Sequence, residues 1–390
     1  MGRSVVSRTD ERVGFRGSRW ARTAARIEAS TPAHRDRAAD ALRAFAILGV
    51  VLGHWLVTAF VDSGDDGLGV HSPLAAMPQF TPVSWVLQTL AVFFLVGGYA
   101  GAVGLRGSGA VPYRRWVGAR MSRLFRPALV LLGVWTAAVG VLIWAGLDLA
   151  TVRAMVKLVL SPLWFLAVYA VLTAATPVVV ALWRRTHGWG VALLIGVVAA
   201  VDLGRFALDG PTSLGWVNVL AGWLVPYYLG VAWAHGAFAE RRWAAALFGG
   251  GAVAAVVLVC AAGYPASMVG VPGASVSNLN PPTLAAVAFG SAQVGLALLV
   301  RDALARVMRR PGLWAAVALA NLSAMTVFLW HQTSMMTVTV ASHSLGRLPG
   351  LHTAPDHSAW FFERLVWLPV FGAVLAGLWA VFHRFERRSG

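Results

Sequence analysis

The chain has 390 residues, 58% of them apolar and only 12% charged, with a mean hydropathy of +0.68. Soluble domains carry about twice that charge fraction, so a water-soluble globular protein is excluded and the composition is that of an all-α polytopic membrane helical bundle. The net charge of +16 does not point to nucleic acid, because its distribution along the chain follows the membrane.

Residues 1–37 are rich in arginine and poor in apolar side chains, the composition of a disordered basic cytoplasmic arm. They lack the apolar core of a cleavable signal peptide. Beyond them, residues 38–384 read as one membrane domain and 385–390 as a short cytoplasmic tail. A spanning helix needs about 20 mostly apolar residues. Ten such stretches lie near 41–61, 83–105, 127–146, 162–182, 189–207, 214–234, 243–262, 283–300, 314–338 and 362–382.

With the N-terminus cytoplasmic, the inside segments hold 27 of the 32 Lys and Arg residues. The outside segments hold only Arg153, Lys157, Arg205, Arg347 and Arg364. That alternation is what the positive-inside rule requires of ten spans with both termini inside, in a multi-pass protein of the cytoplasmic-membrane type. The excess positive charge suits anionic lipid at the cytoplasmic face.

The first span contains LRAFAILGVVLGHW, with Arg43 at its start and His54 eleven residues later. At about 1.5 Å per residue, His54 lies roughly 16 Å beyond Arg43, in the middle or outer half of the bilayer core. An imidazole at that depth marks a functional site, although an interhelical hydrogen bond of about 1 kcal/mol explains such a residue too. Between spans two and three, YRRWVGARMSRLFRPALV crowds Arg114, Arg115, Arg120, Arg123 and Arg126 at one cytoplasmic edge. Arg120 and Arg123 are neighbours on one helical face. Guanidinium forks bind phosphate bidentately; a topology-setting cluster looks the same.

The lone cysteine, Cys260, leaves neither disulfides nor a thiolate metal site, and no metal is expected. The segment from Tyr264 to Thr283 is uncharged and rich in Gly, Pro, Ser and Asn. It suits a lid or re-entrant loop as well as an ordered connector. In span nine, FLWHQ places His331 at a depth similar to that of His54.

Taken in order, these pieces resemble the acyltransferase-3 family of integral-membrane acyltransferases. Arg43 and His54 match its Arg-x10-His pattern, and FFLVGGY (Phe93 to Tyr99) matches the segment that ends in Ser-Gly-Phe. Arg120 and Arg123 match its Arg-x-x-Arg signature. PLWFL (Pro162 to Leu166) matches its aromatic motif, and FLWHQ a late-span motif. Gly97 departs from the pattern, because many members carry serine there. The additional C-terminal extracytoplasmic domain of longer members is not expected.

The resemblance implies an acyl-CoA dependent O-acyltransferase that moves an acyl group, usually acetyl, to a hydroxyl on a glycan, a lipid-linked molecule or a small molecule, as in cell-envelope O-acetylation. His54 would be the general base, acting directly or through an acyl-histidine. Arg120 and Arg123, with Arg43 and the Arg114–Arg115 pair, would hold the coenzyme A phosphates. His331 would orient the acceptor or polarise the thioester, and Trp164 would wall an open channel from the arginines to His54. Two readings compete with this one. One is a transporter or flippase that would use His54, His331, Gln88, Asp202 and Asn218 as a polar pathway, and the other is a non-catalytic partner in an envelope-assembly complex.

Overall fold

The computed structural model describes residues 19–62, 68–109 and 111–387. Arg19–Ser30 forms helix α1, and Asp36 then opens α2, Arg37–Val57, by accepting from the Ala39 backbone N–H at 3.0 Å. A hairpin follows, in which β1 (Ala59–Asp62) pairs antiparallel with β2 (Leu68–His71), Ala59 opposite His71. Two short helices, α3 (Pro73–Ala76) and α4 (Pro82–Leu87), lead to α5 (Leu90–Gly107). The break before α5 is stitched by the Gln88 side chain, which accepts from the Leu90 N–H at 2.8 Å.

The long α6 (Tyr113–Trp144) is followed by α7 (Leu149–Leu160), α8 (Leu163–Ala174) and α9 (Thr176–Thr186). Then come α10 (Trp189–Phe206), α11 (Trp216–Ala234), α12 (Arg241–Ala261) and α13 (Leu284–Val307). The chain closes with α14 (Pro311–Leu322), α15 (Ala324–Ala341), α16 (Ala359–Phe382) and the single turn α17 (Arg384–Arg387).

Among the described residues nine helical stretches are long and apolar enough to span a bilayer, or ten when the pair α14–α15 counts as one. The helical bundle expected from composition is therefore present, and the only named strands among the described residues are those of the hairpin. The spans sort by burial. Those built on α5 and α11 are 67% and 78% buried, whereas those on α12 and α16 are only 17% and 11% buried. Apolar side chains such as Val253, Phe362 and Val366 stay outward on the peripheral helices, as lipid contact requires. In the centre, α5 and α11 approach backbone to backbone. A Cβ added at Gly98 would strike the Tyr227 carbonyl, and one at Gly230 the Leu95 carbonyl, so small residues set this crossing.

Three expectations need correction. The basic arm is not disordered throughout. Arg19–Ser30 is helical and docks on α14, where Trp314 Nε1 donates to Thr31 Oγ1, just past α1, at 2.8 Å; Glu28 of α1 also pairs with Arg37 of α2 at 2.7 Å; residues 1–18 lie outside the described residues. The ninth span is not straight. Between α14 and α15 the chain turns by 72° at Ser323, and Glu386 caps the new helix by accepting from the Met325 and Thr326 N–H groups at 3.1 Å. The fourth apolar stretch begins at Leu149 rather than at 162, because α7 is amphipathic: it buries Val152, Met155 and Val159 and leaves Arg153 and Lys157 exposed.

The 264–283 segment is an ordered connector. Tyr264 donates to Asp202 at 3.0 Å, the Trp85 indole donates to the Ala266 carbonyl at 2.8 Å, and Asn278 donates to the Pro265 and Ser267 carbonyls. Burial first, and then the Asp202 carboxylate, push the Tyr264 phenol above its ordinary range.

Candidate active site

A cavity of about 770 Å³ lies between α2, α5, α6, α8 and α15 at the arginine-rich end. That size falls within the range of small-molecule sites. Arg43, Arg120 and Arg123 all line it, so three of the five arginines expected to bind phosphate do converge. Arg43 is steadied by Asp40 at 3.5 Å, and the same buried carboxylate holds Arg35 at 2.5 Å. Arg120 lies 3.9 Å over the Trp116 ring and across Gly104, where a Cβ would strike its guanidinium. Arg123 is exposed.

Three of the residues expected to hold the donor lie outside this cavity. Arg114 and Arg115 are exposed on the first turn of α6 and do not line the cavity; at 100° per residue they point well away from the Arg120–Arg123 face. Trp164 does not wall the cavity either. Phe165, Leu166, Tyr169 and Thr173 share the cavity face of α8, and helical spacing turns Trp164 nearly opposite, where it packs on Trp223 with ring centroids 6.1 Å apart.

The departure at Gly97 has a physical counterpart. A Cβ there would lie 2.5 Å from Tyr169 Cε2 and 3.1 Å from its hydroxyl oxygen. The Tyr169 ring thus fills the space a serine side chain would need.

On α2 the cavity stripe continues inward. Arg43 and Ile47 line the cavity, and the eleven-residue step from Arg43 to His54 is about three full turns, which keeps both on one face. His54 stands in the last turn of α2. His331 meets it there, the two ring centroids being 4.9 Å apart with 46° between the planes. Each imidazole is tied to its own helix, His54 Nδ1 to the Val50 carbonyl at 2.9 Å and His331 Nδ1 to the Phe328 carbonyl at 2.5 Å. A carbonyl can only accept, so each Nδ1 carries the proton and each Nε2 presents a lone pair. His331 is fully buried and its Nε2 has no partner, whereas His54 retains some accessible surface.

An open channel from the arginines to His54 was expected, but among the described residues the arginine-lined cavity does not reach His54. The cavity ends at Ile47, Phe93, Phe165 and Phe328. A relay of aromatic rings closes it: Phe93 to Phe165 at 5.1 Å, Phe165 to Phe328 at 5.5 Å and Phe328 to His331 at 6.0 Å. One turn of α15 separates the last cavity side chain from the histidine pair.

Sequence reasoning missed Arg364, which it counted as a loop charge. Arg364 is fully buried near the start of α16 and donates to the carbonyls of Trp55 (2.7 Å), Thr58 (2.9 Å) and Gly350 (3.1 Å). These bonds place a cation at the carbonyl end of α2, immediately beyond His54, where it complements the helix dipole. Trp55 in turn donates to the His331 carbonyl at 2.9 Å. The only signal in the sequence was a charged pair, Glu363 and Arg364, at the start of an apolar stretch.

Apart from the two histidines, the residues of the alternative polar pathway lie away from the cavity. Asp202 accepts from Asn218 (3.0 Å), Tyr264 (3.0 Å) and the Leu284 N–H (2.7 Å), and none of Gln88, Asp202 and Asn218 lines the cavity.

Compared with families of related sequences, residues 36–383 match Acyl_transf_3, an acyltransferase domain. No curated protein and no solved structure matches the chain.

Proposed function

The chain belongs to the acyltransferase-3 family of integral-membrane acyltransferases, and on that premise we propose that it transfers an acyl group, acetyl in the first instance, from acyl-CoA to a hydroxyl-bearing acceptor. The acceptor class is a glycan, a lipid-linked molecule or a small molecule of the cell envelope, and the site of action is the bacterial cytoplasmic membrane. The observation that carries this reading is the stripe on α2. It joins a cavity rimmed by Arg43, Arg120 and Arg123 to a histidine whose Nε2 lone pair is free of any backbone tie.

The donor binds with its phosphates among the guanidinium groups, which supply charge-assisted, bidentate hydrogen bonds. Its narrow pantetheine arm enters the cavity and turns Phe328 aside, which brings the thioester to the histidine pair. The acceptor hydroxyl donates to His54 Nε2. As its oxygen attacks the thioester carbonyl carbon, the proton passes to that nitrogen. The tetrahedral intermediate then collapses, the carbon–sulfur bond breaks, and the imidazolium returns the proton to the thiolate. The products are the acyl ester and free coenzyme A. Nδ1 keeps its proton throughout, because the Val50 carbonyl holds the ring in one tautomer.

The test is acyl-CoA turnover by the purified protein in lipid. Removing a general base costs about 10²–10⁴ in rate, so His54→Ala should fall by that factor while still binding coenzyme A. Turnover near the wild-type rate in that variant would overturn the assignment, and substrate counterflow into vesicles without any acyl-CoA would favour transport instead.

A further inference from the structure

We propose that Gln332 is a further catalytic residue, its side-chain amide donating a hydrogen bond to the thioester carbonyl oxygen as negative charge develops there; this rests on the acyl-transfer reading above. Gln332 is 1% exposed, and neither its Oε1 nor its Nε2 has a hydrogen-bond partner. Other buried amides in the described residues leave one atom unpaired at most. Asn218 and Asn321 donate through Nδ2 and lack a partner only at Oδ1, and Gln293 donates to the Gln88 carbonyl. Asn278 satisfies both ends. An amide held dry and unpaired at both ends is a standing cost to the fold, and a ligand that supplies the partners accounts for it.

The position of Gln332 fits such a ligand. Ala324, Met325 and Phe328 line the cavity from α15. His331 and Gln332 follow Phe328 at i+3 and i+4, on the same helical face. A donor that displaces Phe328 therefore reaches these two side chains next.

The chemistry also lacks a donor without it. Both imidazoles present lone pairs at Nε2, since each Nδ1 proton is given to a backbone carbonyl, so neither can stabilise an oxyanion while neutral. The other donors around the pair are committed. Trp55 Nε1 and Ser334 Oγ both go to the His331 carbonyl, Trp135 Nε1 goes to Thr333 Oγ1, and Arg364 goes to three carbonyls and Met335 Sδ. Gln332 Nε2 is the uncommitted N–H donor on that face among the described residues.

The experiment uses the full chain in lipid, with acetyl-CoA as donor and glycerol as the hydroxyl probe, and compares wild type, His54→Ala, Gln332→Leu and Gln332→Met. Losing one oxyanion donor costs about 10²–10³ in kcat, so both Gln332 variants should fall by that factor with KM for acetyl-CoA unchanged. Their melting temperatures should hold or rise, because an unpaired buried amide has been replaced by an apolar side chain of similar size. A purely structural amide would instead lose stability and activity together, and that outcome, or a kcat within tenfold of wild type, overturns the proposal. Absence of turnover in the wild type would remove the acyl-transfer reading itself, and full turnover in His54→Ala would remove only the assignment of His54 as the base; both are distinguishable from a failure confined to Gln332.

Discussion

Replacing Gly97 by serine, the residue many family members carry there, tests the packing that shapes the cavity wall. The new Cβ would sit 2.5 Å from Tyr169 Cε2, whereas carbon atoms in good contact are about 3.5–4.0 Å apart. The Tyr169 ring must therefore move by about 1 Å to restore that contact. Phe93, Phe94 and Phe165 pack against it with centroids at 5.0, 6.0 and 6.2 Å, so the ring gives way towards the cavity it lines. Overpacking of this kind costs about 1–3 kcal/mol. The displaced ring faces the cavity, so coenzyme A affinity should fall along with stability. Equilibrium unfolding in mixed micelles, run on Gly97→Ser, Tyr169→Val and the double variant, isolates the contact. If the ring is the obstacle, the double variant should be more stable than the sum of the singles by about 1 kcal/mol or more. Additivity within about 0.5 kcal/mol would show that Tyr169 does not occupy the serine site, and the account of this departure would be wrong.

Three further outcomes follow from the same geometry. Arg123→Ala should raise KM for acyl-CoA about 10–100-fold, the equivalent of one charge-assisted hydrogen bond of about 1.5–3 kcal/mol, with kcat nearly unchanged; an effect on acceptor KM alone would contradict the phosphate assignment. Phe328→Leu should raise acetyl-CoA hydrolysis in the absence of acceptor, because the ring that closes the cavity also keeps water from the histidine pair; unchanged hydrolysis would mean that the passage runs elsewhere. Asp202→Asn should lower the melting temperature by loosening the anchor of the 264–283 connector, at about 1–3 kcal/mol, and leave kcat intact; loss of turnover without loss of stability would restore Asp202 to a polar pathway.

How legible each feature was depends on whether it is local. The pairing of Arg43 with His54 was readable because eleven residues are close to three helical turns, so a spacing in the sequence is a distance along one face. The Arg120–Arg123 pair was readable for the same reason, and the same rule, applied more strictly, would have removed Arg114, Arg115 and Trp164. The 72° turn at Ser323 was not readable: its capping carboxylate, Glu386, lies more than sixty residues away in sequence, beyond the last span. Nor was the aromatic closure, since Phe93, Phe165 and Phe328 come from three helices whose rotations are set by packing. Arg364 was counted with the loop charges because charge patterning registers a cation without showing which carbonyls surround it. The docked α1 escaped for a related reason, since its composition is that of a solvated arm and its partner Trp314 is nearly three hundred residues away in sequence.

The central claim is that the acyl end of a cytosolic thioester travels from the arginine rim to the His54–His331 pair. A coenzyme A thioester carrying a photoreactive diazirine in its acyl group, bound to the reconstituted protein and mapped by peptide mass spectrometry, measures that directly. Labels on α2 between Ile47 and His54 and on α15 between Phe328 and Met335, competed by acetyl-CoA and lost in Arg120→Ala, are the predicted result. Labels confined to surface loops, or indifferent to competing acetyl-CoA, would contradict the account.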